Sequence, residues 1–121
     1  MAFPIINYKA SNTEIDPAWQ SLVEQKFSSL EKYIGDESDV KCDVEFSKEA
    51  AQQSGDVFRV ETNLWLAGTL FRAAASKASF EMAIDEVRAE LDKELRRANK
   101  KQTSLMKRGG RALKRMMQFG K

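Results

Sequence analysis

Two stretches in the middle of the chain alternate apolar and polar residues, and the stretches on either side carry apolar residues at helical spacing. Val40, Cys42, Val44 and Phe46 alternate with Lys41, Asp43, Glu45 and Ser47. Phe58, Val60, Thr62, Leu64 and Leu66 alternate with Arg59, Glu61 and Asn63. A period of two makes each a strand with one buried face. Trp19, Leu22, Val23, Phe27, Leu30, Tyr33 and Ile34 form one helical stripe. Phe80, Ala83, Ile84, Val87, Leu91, Leu95 and Ala98 form a second. Packing both helices on one side of the sheet buries all of these faces together.

Local chemistry sets the boundaries. Asp16 can cap free N–H groups and Pro17 suits the first helical position, so the first helix is predicted over about 17–34, stopping at Gly35. Ser79 is a cap for the second, predicted over about 79–101. Ile6-Asn7-Tyr8-Lys9-Ala10 reads as a first strand, and Leu70 to Ala74 as a short fourth after the turn Ala67-Gly68-Thr69. Ala50 to Asp56 is a loop. The expected fold is α+β with the order β-α-β-β-β-α, a four-stranded sheet with two helices packed on one face. Residues 1–101 are taken as one domain and 102–121 as a basic, flexible tail.

Composition removes several function classes. There is no histidine, which excludes a Ser-His-Asp triad and a Cys-His pair and removes the commonest metal ligand. The single cysteine, Cys42, forms no intrachain disulfide and falls on an apolar strand face, where it acts as a small core residue. Carboxylate pairs such as Asp36/Glu37 and Asp85/Glu86 are adjacent in sequence and do not converge, and no phosphate-binding glycine loop is present. The chain is therefore expected not to be an enzyme and to need no cofactor or metal. The start of the sequence lacks the pattern of a secretory signal, so the expected location is cytoplasmic.

Charge is what points to a partner. Residues 1–92 hold nine Lys/Arg and 17 Asp/Glu, a net of −8. Residues 93–121 hold 11 Lys/Arg and one acid, Glu94, a net of +10. Lys93, Arg96, Arg97 and Lys100 are spaced i, i+3, i+4, i+7, opposite Ile84, Val87, Leu91 and Leu95. Lys101 follows, and Lys107, Arg108, Arg111, Lys114 and Arg115 extend the positive charge into the tail. Such residues neutralise phosphates and release counterions, so nucleic acid is the expected partner. A solvated helix face and a solubilising tail are the alternatives. Membrane docking through Leu113, Met116, Met117 and Phe119 is a weaker one, because so short an apolar face anchors poorly. Trp65 falls on the Arg59/Glu61/Asn63 side of its strand, where it either stacks on a base or sits under a loop.

Four segments carry a family resemblance. Ile6-Asn7-Tyr8 leads through Glu14-Ile15-Asp16 into the first helix, which ends in Leu30-Glu31-Lys32-Tyr33. Gly68 precedes Leu70-Phe71-Arg72-Ala73, and Ala83-Ile84-Asp85 precedes Leu91-Asp92-Lys93-Glu94-Leu95. In that order and spacing the chain resembles, over about residues 5–101, the short form of the ribosome hibernation-promoting factor and ribosome-associated inhibitor family, also called sigma-54 modulation proteins. The resemblance implies two parallel helices on a sheet, similar to double-stranded RNA-binding domains. It implies binding to ribosomal RNA in the tRNA and mRNA channel of the small ribosomal subunit, which blocks translation by occupancy and preserves idle ribosomes. Lys26, Lys32, Lys93, Arg97 and Arg72 match the family's basic positions. Ser29 and Glu90 stand where lysines are common. Residues 102–121 are too few to make the long form's dimerisation domain, so self-driven pairing of ribosomes is not implied and would need a second factor, and a monomer is expected off the ribosome. The reading from another class is a non-ribosomal RNA-binding or protein-interaction module that uses the basic tail on an acidic partner or membrane surface.

Overall fold

The computed structural model describes residues 3–49 and 57–108, with side chains described up to residue 100. Among the described residues, β1 (Ile6–Ser11), β2 (Val40–Lys48), β3 (Phe58–Leu66) and β4 (Thr69–Lys77) form one sheet in the order β1-β2-β3-β4. β1 pairs parallel to β2, and the other pairs are antiparallel. A parallel pair needs a crossover. Here it is α1 (Pro17–Phe27), a 3-10 turn (Ser28–Leu30) and α2 (Glu31–Ile34). α3 (Phe80–Arg108) returns after β4. The α+β fold and its β-α-β-β-β-α order are those expected.

The first helical segment starts as its sequence dictates. The Asp16 carboxylate accepts from the Ala18 N–H at 2.8 Å, and Pro17 is the first helical residue. The segment ends at Gly35, whose φ of 56° suits a residue without a Cβ. Between Phe27 and Glu31 the helix tightens into the 3-10 turn. There the Ser28 and Ser29 hydroxyls donate to the carbonyls of Gln25 and Lys26, at 2.7 and 3.0 Å. Serines that bond the preceding turn compete with the regular helical pattern. At α3, the Ser79 Oγ accepts from the Met82 N–H at 3.2 Å.

β4 extends past the expected Ala74, because Ala75, Ser76 and Lys77 continue the ladder against Val60, Arg59 and Phe58. Its hairpin with β3 turns through Ala67 and Gly68, both with positive φ, the pairing that a two-residue loop between twisted strands requires. α3 also passes its expected end at residue 101 and reaches Arg108. Residues 102–108 contain no glycine or proline, and the first glycine of that region is Gly109. The expected tail therefore begins inside a helix. Its remainder from residue 109, with the Gly109-Gly110 break, lies outside the described residues, as does the loop 50–56.

The core fills the space between the helices and one face of the sheet. Val23, Phe27 and Leu30 meet Cys42, Val44, Val60 and Leu64 from the strands and Ile84, Val87 and Leu91 from α3. Phe80 is its aromatic hub, with ring centroids 5.0 Å from Phe58, 5.4 Å from Phe46 and 5.9 Å from Trp19. A buried aromatic in the first turn of α3 fixes where that helix meets the sheet. No helix among the described residues is long and apolar enough to cross a membrane.

Candidate nucleic-acid interface

The packing that buries Leu91 and Leu95 turns the opposite side of α3 to solvent. Lys93, Arg96, Arg97 and Lys100 are all exposed there. From Lys93 to Lys100 the axial rise is about 10 Å. Arg96 lies 3.9 Å from the Asp92 carboxylate, and Arg97 lies 3.5 Å from Glu94. Both guanidinium side chains remain 65% exposed, so these pairs are weak and easily exchanged for another anion. Lys93 and Lys100 make no ion pair among the described residues. α3 is also polarised end to end, with Glu81, Asp85, Glu86 and Glu90 in its first half.

The other expected site residues divide into three groups. Lys32 is exposed beside α3, its ammonium 5.2 Å from the centroid of the Tyr33 ring. Tyr33 in turn donates to Asp92 at 2.9 Å, which ties the end of α2 to the start of the α3 stripe. Lys26 is held by Asp85 at 2.8 Å and is one-third exposed, so much of its charge is spent on joining α1 to α3. Arg72 sits on the far side of the sheet, 2.9 Å from Glu61. The fold thus does not bring Arg72 to the helix stripe. Lys101, Lys107 and Arg108 stand on α3, but their side chains lie outside the described residues. Arg111, Lys114 and Arg115 lie outside them altogether.

Reading the sequence by charge alone missed the acids that organise this surface. Asp85 and Asp92 are seven residues apart, as are Lys26 and Tyr33, and each pair of contacts spans 59 residues. The two helical segments therefore run parallel and in register across the sheet. Tyr33 is raised above the usual phenol range, first by burial and then by the Asp92 carboxylate that accepts its hydrogen bond. Tyr8 is raised likewise, by burial and then by its hydrogen bond to Glu24. Spacing within each helix gives the signal for such partners only after the helix pairing is known.

Cys42 is buried in the sheet, and burial pushes its thiol up to about 12, so it is protonated at neutral pH. No group of three or more His, Cys, Asp or Glu able to hold a metal occurs among the described residues.

The family model described as sigma 54 modulation protein / S30EA ribosomal protein matches residues 6–103. No curated protein sequence matches the chain. Among solved structures, the chain is similar to the N-terminal domain of Protein Y from Thermus thermophilus. Identity is 26% and the TM-score 0.64, covering 75% of this chain and 93% of that one. It shares its fold with a ribosomal subunit interface protein from Coxiella burnetii, at 19% identity and a TM-score of 0.62, covering 78% of this chain and 96% of that one.

Proposed function

The chain belongs to the sigma 54 modulation protein / S30EA ribosomal protein family, and we propose that it binds ribosomal RNA in the tRNA and mRNA channel of the small subunit and blocks translation by occupancy. The observation that carries this reading is the α3 stripe of Lys93, Arg96, Arg97 and Lys100. It is exposed, close to 10 Å long, and rigidly held by the buried residues beneath it. Phosphates of a folded RNA can lie along it, with Lys32 as a flanking contact. Fixed cations neutralise them without any ordering cost in the backbone.

The acidic first half of α3 gives the complex a direction, since Glu81, Glu86 and Glu90 repel the same phosphates that the second half attracts. Steric exclusion then suffices, and neither a catalytic group nor a cofactor enters. The family's description as a ribosomal protein supports a ribosomal partner. Lys107, Arg108, Arg111, Lys114 and Arg115 would lengthen the contact, making good the lysines replaced by Ser29 and Glu90. The location that follows is the cytoplasm, with idle small subunits or whole ribosomes as the partner.

A translation reaction supplied with purified ribosomes and increasing amounts of the protein tests the proposal. Output should fall as the protein approaches the ribosome concentration. Prior loading of the ribosomes with messenger and tRNA should protect them. Undiminished translation at a tenfold excess would overturn the reading.

A further inference from the structure

The α3 stripe leaves the sheet face away from the helices unused, and this face differs from the rest of the acidic body. Four cations stand on it, Lys9, Lys41, Arg59 and Arg72, against four acids, Asp43, Glu45, Glu61 and Glu49, the last bonded to the Ser76 hydroxyl. The remainder of residues 1–92 holds five bases and 13 acids. Within a body of net −8 the open face is thus close to neutral, and a polyanion finds it the least repulsive part of that body.

One end of this face is aromatic and apolar. Lys41, Trp65 and Leu70 lie side by side across β2, β3 and β4, and Leu70 is 48% exposed. Ile5, one residue before the start of β1, is 91% exposed. The Lys41 ammonium stands 5.1 Å from the centroid of the Trp65 ring. The next row inward holds Asn7, Asp43, Asn63 and Arg72, in which the Asn7 amide donates to Asp43 at 3.1 Å. A hollow of about 390 Å³ opens between this row and the next, bounded by Asn7, Asn63, Lys9 and Lys41 and by the carboxylates of Asp43, Glu45 and Glu61. That is within the range of roughly 300–1,000 Å³ typical of ligand sites.

We propose that this face is a binding site for single-stranded RNA, with a base stacked on Trp65 and its neighbour in the hollow. Stacking on an aromatic ring is open to every base, because every base has a π-face. Lys41 is 61% exposed, so its ammonium leaves the ring at little cost and moves to a flanking phosphate. Arg72, equally exposed, trades its surface pair with Glu61 for another phosphate. The Asn7 and Asn63 amides offer both donors and acceptors to a base edge, which aliphatic or charged side chains there would not. Asp43, Glu45 and Glu61 repel phosphates, so the base and not the backbone enters the hollow and the site is limited to a few nucleotides. This contact is independent of the ribosome reading and lies across the sheet from α3, so the two can be tested apart.

Nuclear magnetic resonance of the full chain, titrated with a 12-nucleotide oligouridylate at low salt, is the test. The protein has two indole N–H signals, from Trp19 and Trp65, and the Trp65→Phe variant identifies the second. The Trp65 indole should move on titration, and should still move in a Lys93→Glu/Arg97→Glu variant. Trp65→Ala should weaken the oligonucleotide by about 5- to 150-fold, the range expected for loss of one stacked base. Shifts confined to α3 with the Trp65 indole unmoved would overturn the proposal. So would a Trp65 indole that shifts with protein concentration alone, since a second copy of the chain would then cover the face.

Discussion

Tyr33 donates its hydroxyl to the Asp92 carboxylate at 2.9 Å, across the seam between the end of the first helical segment and the middle of α3. Seven residues earlier on both elements, Lys26 and Asp85 meet at 2.8 Å. These two contacts act as pins that hold α3 at one rotation about its axis, and so fix which of its residues face outward. Tyr33→Phe removes the first pin while keeping the ring. It should lower stability by about 1 kcal/mol, the net value of one hydrogen bond to a partly buried partner, and lower Tm by about 4–8 °C. Thermal unfolding measured by circular dichroism checks it.

Lys26 and Lys93 look alike in sequence but have different work to do. Lys93 makes no ion pair among the described residues, whereas Lys26 is committed to Asp85. Lys93→Ala should therefore reduce the salt slope of small-subunit binding by about one, as expected for one lost phosphate contact. Lys26→Ala should leave that slope unchanged. Parallel sedimentation of the two variants with small subunits over a range of salt separates them.

Thr62 is fully buried, and its hydroxyl has no hydrogen-bond partner among the described residues. A buried hydroxyl without a partner carries a desolvation cost, and valine has nearly the same shape without that group. Thr62→Val should raise stability by about 1 kcal/mol, read as a higher urea midpoint with an unchanged m-value.

Cys42 gives a pH dependence with a definite sign. Its thiol is raised from 9.0 in the unfolded chain to about 12 in the fold, by burial first and then by the charge of Asp43. Between those values the folded state holds a proton that the unfolded state has lost. The stabilisation is fully present below pH 9 and is lost as pH rises towards 12. Urea midpoints of the native chain should fall over that window more than those of Cys42→Ala. Native protein at pH 7.5 should also react with a thiol reagent only as fast as it unfolds.

The fold was legible because burial repeats with a clean period in this chain. Val40 to Phe46 and Phe58 to Leu66 alternate onto one covered face, and Leu91 and Leu95 mark the buried side of α3. What the periods could not carry was pairing between distant elements. Nothing local to Tyr33 marks Asp92 as its partner, and nothing near Arg72 says that β4 turns it away from α3. The end of α3 was misjudged because the charge pattern changes near residue 101, whereas helix continuation depends on the backbone, which meets no glycine until residue 109. Among the site residues, Lys93, Arg96, Arg97 and Lys100 came together because a helix converts i, i+3, i+4, i+7 spacing directly into a stripe. Lys26 and Arg72 depended on packing, which redirected both.

The central claim is that the α3 stripe lies on ribosomal RNA, and salt dependence tests it most directly. Affinity for small ribosomal subunits should be measured between about 50 and 200 mM salt for the native chain and for a variant in which Lys93, Arg96, Arg97 and Lys100 are all glutamine. The native chain should bind with a steep log–log slope. The variant's slope should be smaller by about 3, from roughly 0.7–0.9 for each phosphate no longer neutralised. A native chain that fails to bind at the lowest salt, or a variant with the same slope and affinity as the native chain, would contradict it.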